Sequence, residues 1–170
     1  MIGKVVKGKV AVFIDAANLE NSAKDLKIRI NYRKLRRLLK VGGGIVHLGF
    51  YSVSFTNKEH KIFLRSLKSK GYSVITKPLK VIKSRDLERG DVRKANFDVE
   101  IAVDAMKLKD EFDSMVLFSG DSDFDYLIKY LREKDKVVIV ISSKYHISKE
   151  LIKSCNKYLD LKKLKNKIKR

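Results

Sequence analysis

The chain contains a single cysteine, Cys155, and only three histidines, His47, His60 and His146. No internal disulfide can form, and the histidines show no ligand-like spacing with the cysteine or with one another, which argues against a zinc site. Cys155 lies among Leu151, Ile152, Tyr158 and Leu159 at helical spacing and reads as a small core residue rather than a nucleophile. Proline is nearly absent too: Pro78 falls in an expected loop, not in a linker between domains. No Gly-Lys-Ser/Thr follows Gly42-Gly43-Gly44, so that run reads as a helix-ending turn rather than a phosphate loop, and no Gly-x-Ser-x-Gly suggests a serine hydrolase. The first ten residues carry three lysines but no apolar run long enough for a signal peptide or a membrane span. The expectation is a cytoplasmic protein without a membrane partner. No internal repeat of about 20 to 50 residues is visible.

Acidic residues are scarce relative to basic ones. Against 39 Lys plus Arg stand 20 Asp plus Glu, a formal charge of +19 that is larger than solubility requires and repels itself in a compact state. A polyphosphate partner would offset it, because each neutralised phosphate releases condensed counterions. The competing explanation is a lysine-rich, well solvated surface.

With 170 residues and 44% hydrophobic content, the chain suits one core. The apolar run Lys9–Ile14, ending at Asp15, has the form of a strand buried on both faces. Four further runs repeat that form: Ile45–Tyr51, Tyr72–Ile75, Met115–Phe118 and Val137–Ile141. Helical patterns lie between them, over Asn31–Lys40 with a basic outer face, from the capping box Thr56–Glu59 to Gly71, over Phe97–Lys107, and over Phe124–Glu133. Strand and helix alternate, which predicts an α/β fold with a doubly wound sheet of about five mainly parallel strands. Residues 1–160 form the expected domain. In the basic tail 161–170, Leu161, Leu164 and Ile168 share one helical face, and weak docking or fraying is expected. The stretch Lys80–Lys94 reads as a mobile surface loop.

Ligands of open parallel sheets bind at the carboxyl ends of the strands, where strand order reverses. Asp15 follows the first strand; Asp121 and Asp123 follow the fourth, in Phe118-Ser-Gly-Asp-Ser-Asp-Phe124, where Gly120 permits a tight turn and Ser122 is a candidate cap. If those strands are neighbours, three carboxylates converge. Two of them about 4 Å apart repel by roughly 1 to 4 kcal/mol, so a cluster needs protons or a cation. Oxygen-only ligation suits Mg²⁺ or Mn²⁺. On the helix that starts near Phe97, Asp98 and Asp104 lie about 120° apart around the axis and about 9 Å apart along it, and cannot be equally central. Glu100 and Asp104 share a face and read equally well as a solvated acidic stripe paired with Lys107 or Lys109.

Three segments, Phe13-Ile-Asp-Ala-Ala-Asn18, Lys94-Ala-Asn-Phe-Asp98-Val-Glu-Ile-Ala-Val-Asp104 and Phe118–Phe124, resemble the NYN domains of the LabA-like group, relatives of the PIN-domain nucleases, over about residues 9–159. The resemblance implies a PIN-like fold and an endoribonuclease dependent on Mg²⁺ or Mn²⁺, in which metal-activated water cleaves RNA. Carried over by position, Asp15, Asp98, Asp121 and Asp123 form the metal site. Asn18 and Lys94 lie beside it, to orient a ligand or water and to meet a substrate phosphate. Asp104 matches a family position without a clear role, and with Ser119 and Ser122 is a candidate to support the ligands from behind. Lys83, Arg85, Arg89, Arg93 and Lys94 are the candidate RNA contacts; a homodimer is left open. Ala16 and Ala95 replace glycines common in relatives, and Asn156 a common aspartate. Two other readings compete: an RNA-binding adaptor, which would gain by losing the carboxylates, and a nucleotide phosphohydrolase, which leaves +19 unexplained.

Overall fold

The computed structural model describes residues 2–82, 92–94 and 96–170, with the backbone alone for 80–82 and 92–94. Six strands form one parallel sheet: β1 (Val10–Asp15), β2 (Ile45–Ser54), β3 (Ser73–Pro78), β6 (Ser114–Phe118), β7 (Val137–Ser142) and β8 (Lys157–Asp160), in the order β3-β2-β1-β6-β7-β8. Two short strands, β4 (Lys80–Ile82) and β5 (Val92–Lys94), pair antiparallel in a separate ladder. The helices are α1 (Ala16–Asp25), α2 (Tyr32–Leu39), α3 (Lys58–Ser69), α4 (Asp98–Lys107), α5 (Asp125–Glu133), α6 (Lys149–Ser154) and α7 (Lys165–Ile168).

Side chains alternate across a strand, so β1 feeds two cores at once. Val10, Val12 and Ile14 pack on one face with Leu19 and Ala23 of α1, Leu35 and Leu39 of α2 and Leu67 of α3. Ala11 and Phe13 pack on the other with Ile101 and Ala105 of α4, Leu127 and Leu131 of α5 and Leu151 of α6. Burial on both faces explains why β1, β6 and β7 read as continuous apolar runs. Among the described residues, no helix is long and apolar enough to cross a membrane.

All five expected strands are present. The sixth, β8, lies where apolar spacing suggested a helix running on through Leu159. Instead α6 ends at Ser154, Cys155 turns extended, and the Asn156 carboxamide oxygen accepts the Val138 N–H at 2.8 Å, leading the chain into pairing with β7. Tertiary pairing overrides the local spacing there. Cys155 itself is buried in the core, as its position suggested.

Helix α1 had no expected counterpart, because its buried face, Ala16, Leu19, Ser22 and Ala23, holds a single large apolar side chain and the rest of the helix is mostly polar. The helix after Thr56 starts one residue later than the capping box implies. Its cap is Asn57, whose Oδ1 accepts the His60 N–H at 2.8 Å, and Gly71 with φ +81° closes it as expected. Within Lys80–Lys94, read as a loop, residues 80–82 and 92–94 form the β4–β5 ladder. Nor is the C-terminal segment frayed: Leu161, Leu164 and Ile168 are completely buried in the first core.

Candidate active site

Strand order reverses between β1 and β6, and Ile14 pairs with Phe118, so both chains leave the sheet side by side. Asp15 ends β1 and caps α1. Its Oδ1 accepts the Ala17 and Asn18 N–H groups at 3.0 and 3.3 Å, and its Oδ2 accepts the Asn18 side-chain amide at 2.6 Å. Asn18 then reaches across the crevice, its Oδ1 accepting the Gly120 N–H at 3.2 Å. Both ends of its carboxamide are therefore engaged in holding the two strand ends together.

Gly120 is required by proximity rather than by a left-handed turn. A Cβ there would stand 1.8 Å from the His146 carbonyl oxygen, and the Gly120 carbonyl accepts the Ser148 N–H at 3.0 Å. The chain beyond is capped by Asp121, not Ser122: Asp121 Oδ1 accepts the Asp123 N–H at 3.1 Å and opens the 3-10 turn Ser122–Phe124. Ser119 is fully buried and its Oγ accepts the Asp121 N–H at 3.2 Å, whereas Ser122 is exposed.

From the other side α4 brings Asp98, its first residue, anchored by buried Phe97. One carboxylate oxygen from each of Asp98, Asp121 and Asp123 lies within 4.8 Å of the others. Asp15 sits deeper, with its oxygens committed to α1 and Asn18, yet close enough to raise the pKa of Asp98. Burial first, then the charges of Asp121, Asp15 and Asp123, push Asp98 up to about 6, with Lys77 opposing. Asp15 is raised as well, chiefly by burial, with hydrogen bonds from Asn18 and Ala17 opposing. The strand ends thus supply three of the four expected carboxylates and α4 the fourth.

A raised carboxyl is a stability statement. In the metal-free protein, Asp98 keeps its proton in the folded state after it has been lost in the unfolded one. Its contribution therefore falls as pH rises from about 4 through about 6, by on the order of 1 kcal/mol once solvent screening is discounted. In EDTA, the Asp98→Asn variant is expected to gain in Tm relative to the parent across that interval; a difference that stays flat from pH 4 to 8 would contradict the crowding of these charges.

Asp104 does not join the cluster. The buried Tyr51 hydroxyl donates to its Oδ2 at 2.9 Å, and Lys107 stands 3.9 Å away. The Tyr51 hydroxyl also lies 3.4 Å from His47 Nε2, and its pKa is raised by burial and by Asp104. This contact ties α4 to β2. Tyr51→Phe is expected to cost about 1 to 2 kcal/mol in urea denaturation, since Asp104 is only partly exposed and loses its donor. Unchanged stability with altered activity would move Asp104 back toward the reaction.

Pattern reading missed Asn96, whose Nδ2 donates to Asp98 Oδ2 at 2.8 Å, and Lys77, which pairs with Glu100 at 2.6 Å and lies 4.6 Å over the Phe97 ring. Lys77 had a signal, since it extends the third apolar run toward the same sheet edge as Asp15. Lys83, Arg85 and Arg89 lie outside the described residues; Arg93 and Lys94 lie on β5 with their side chains outside the description.

Residues 9–162 match the NYN domain. The chain belongs to the NYN domain family. This NYN chain is 29% identical over 164 residues to the low amplitude and bright protein LabA of Synechococcus elongatus, a match covering 93% of this chain and 86% of LabA. A protein of unknown function from Vibrio parahaemolyticus RIMD 2210633 shares the fold, with a TM-score of 0.80 at 22% identity over 96% of this chain and 97% of that one. The NYN domain is related to the PIN-domain nucleases, and its nucleases generally use divalent metals, which supports a nuclease or RNA-related role.

Proposed function

We propose that this NYN domain is an endoribonuclease dependent on Mg²⁺ or Mn²⁺, with its site at Asp98, Asp121 and Asp123 and with Asp15 behind them. The observation that carries this reading is the convergence of three carboxylate oxygens within 4.8 Å in a chain of charge +19. The donor set fits such an ion. It is all oxygen, contains no Cys or His, and is crowded enough to raise the pKa of Asp98, a repulsion that a bound cation would relieve. When bound, the ion supplies an acidified water and stabilises charge on the phosphodiester.

The residues of the chain do the rest. Asn18 fixes Asp15 and the loop after β6 in one arrangement, so the carboxylates need no reorganisation when substrate arrives. Asn96 donates to one oxygen of Asp98 and thereby orients that carboxylate. Lys94, two residues before Asn96, meets a substrate phosphate in this reading, and no covalent nucleophile is required.

The test is incubation of the purified protein with labelled single-stranded and structured RNA in Mn²⁺, Mg²⁺ or EDTA. Internal cleavage that requires metal is the expected result. RNA binding without cleavage in either metal would overturn the reading in favour of an adaptor, and hydrolysis of mononucleotides alone would make the protein a phosphohydrolase.

A further inference from the structure

A second feature lies at the opposite end of the sheet. Ile45, the first residue of β2, pairs with Val10, the first of β1, whereas Asp15 pairs with Tyr51. Beside Ile45 opens a cleft of about 450 Å³ lined by Arg33, Arg36, Arg37, Lys40, Ser69 and Lys70. By strand rise it stands about 17 Å or more from the carboxylates. Beyond Arg37 a neighbouring cleft adds Lys34 and Lys167, and among the described residues no acidic side chain lines either one.

These cations are costly where they stand. Arg33–Arg37 and Arg36–Lys40 are like-charge pairs at i,i+4, each destabilising by about 0.2 to 0.5 kcal/mol. Arg36 and Arg37, in the last turn of α2, complement the helix dipole, but Arg33 sits in a first turn that holds no acid, where a cation is unfavourable. Among the described residues, none of Arg33, Arg36, Arg37 and Lys40 has a carboxylate partner. Lys70 is held to Ser66, its Nζ donating to the Ser66 carbonyl at 2.9 Å and to the hydroxyl.

We propose that this cleft along α2 is a second RNA-binding surface, which holds the phosphate backbone of a substrate strand at a distance from the carboxylate site. Choosing RNA as the polyanion rests on the ribonuclease reading above. An anionic membrane fits less well, because the apolar face of α2, Tyr32, Leu35 and Leu39, is buried in the core and leaves nothing to insert into lipid. A strand that spans both places gains affinity by releasing counterions at each phosphate.

Binding is measured in EDTA, so that no cleavage intervenes, with a long single-stranded RNA, a trinucleotide and phosphatidylserine vesicles. The triple variant Arg33→Gln, Arg36→Gln, Arg37→Gln is expected to lower the salt slope for the long RNA by about 2, equivalent to about 50-fold weaker binding near 0.15 M salt if both proteins converge at 1 M. Trinucleotide binding should stay unchanged, and Arg→Lys at the same three positions should keep most of the affinity. All three side chains are exposed, so Tm should hold and serves as the check on folding. Unaltered affinity and slope would overturn the proposal, as would loss of vesicle binding with RNA binding intact, or an equal loss for the trinucleotide. Failure of the ribonuclease reading shows separately, as absence of cleavage by the parent protein in metal, and leaves this binding comparison readable.

Discussion

An Asp121→Asn variant is expected to fold, to bind RNA, and to lose metal-dependent cleavage by about 10²- to 10³-fold or more. Asp121 has two separable roles. Its Oδ1 accepts the Asp123 N–H and shapes the turn that follows β6, which an Asn oxygen does equally well. Its second role lies in its charge: one of its oxygens stands within 4.8 Å of an oxygen each from Asp98 on α4 and Asp123, and its charge contributes to the raised pKa of Asp98 and of Asp15. Replacing carboxylate by carboxamide keeps the first and removes the second. Asp15→Asn would be a poorer probe, because both Asp15 oxygens receive N–H donors and an amide nitrogen would face one of them. Cleavage of labelled RNA with Mn²⁺ in excess, beside anisotropy in EDTA, checks the result. If Asp121→Asn cleaves within tenfold of the parent, the carboxylates are not the site of reaction.

The path from residues to this site was uneven, and the reasons are physical. Asp15, Asp121 and Asp123 were readable because each follows an apolar run buried on both faces, and a strand that ends in a carboxylate marks the sheet edge where ligands collect. Asp98 carries no such marker. It opens a helix that follows residues 83–91 and 95, outside the described chain; its place in the first turn favours it over Asp104, but mainly the likeness to NYN domains assigns it to the others. Asp104 is the converse: its position in the motif suggested the site, but α4 turns it toward Tyr51, a partner 53 residues away that no local spacing shows. The basic face of α2 was visible as a pattern. That it lines a cleft depends on Lys70 at the end of α3 and on Ile45, which only the packed fold brings beside it. Similarly β8 could not be read from apolar spacing, because its conformation is set by pairing with β7 rather than by its own residues.

A chain ending at Asp160 is expected not to fold. The ten residues removed look dispensable by composition, with six cations among them. Their structure says otherwise: Asp160 Oδ1 accepts the Lys162 N–H and starts a turn that drives Leu161 and Leu164 inward, and α7 then delivers Ile168. All three have no exposed surface and pack with Leu35, Leu39 and Val12. At about 1.5 to 3 kcal/mol for each buried side chain, the loss comes to roughly 5 to 9 kcal/mol, comparable with the whole stability of a typical domain. Backbone bonds go too, since Ile168 O accepts the Asn31 N–H at 2.7 Å and Arg29 O accepts the Arg170 N–H at 3.0 Å, which together pin the entry to α2. Loss of near-ultraviolet dichroism and of a cooperative thermal transition is the expected reading. A full-length variant with Lys162, Lys163 and Lys167 changed to Gln separates charge from burial and should melt within a few degrees of the parent, while Leu164→Ala alone should cost about 2 to 5 kcal/mol. If the shortened chain melts cooperatively near the parent Tm, the segment only rests on a core that is complete without it, and the basic cleft beside α2 must be held in place by α3 and the sheet alone.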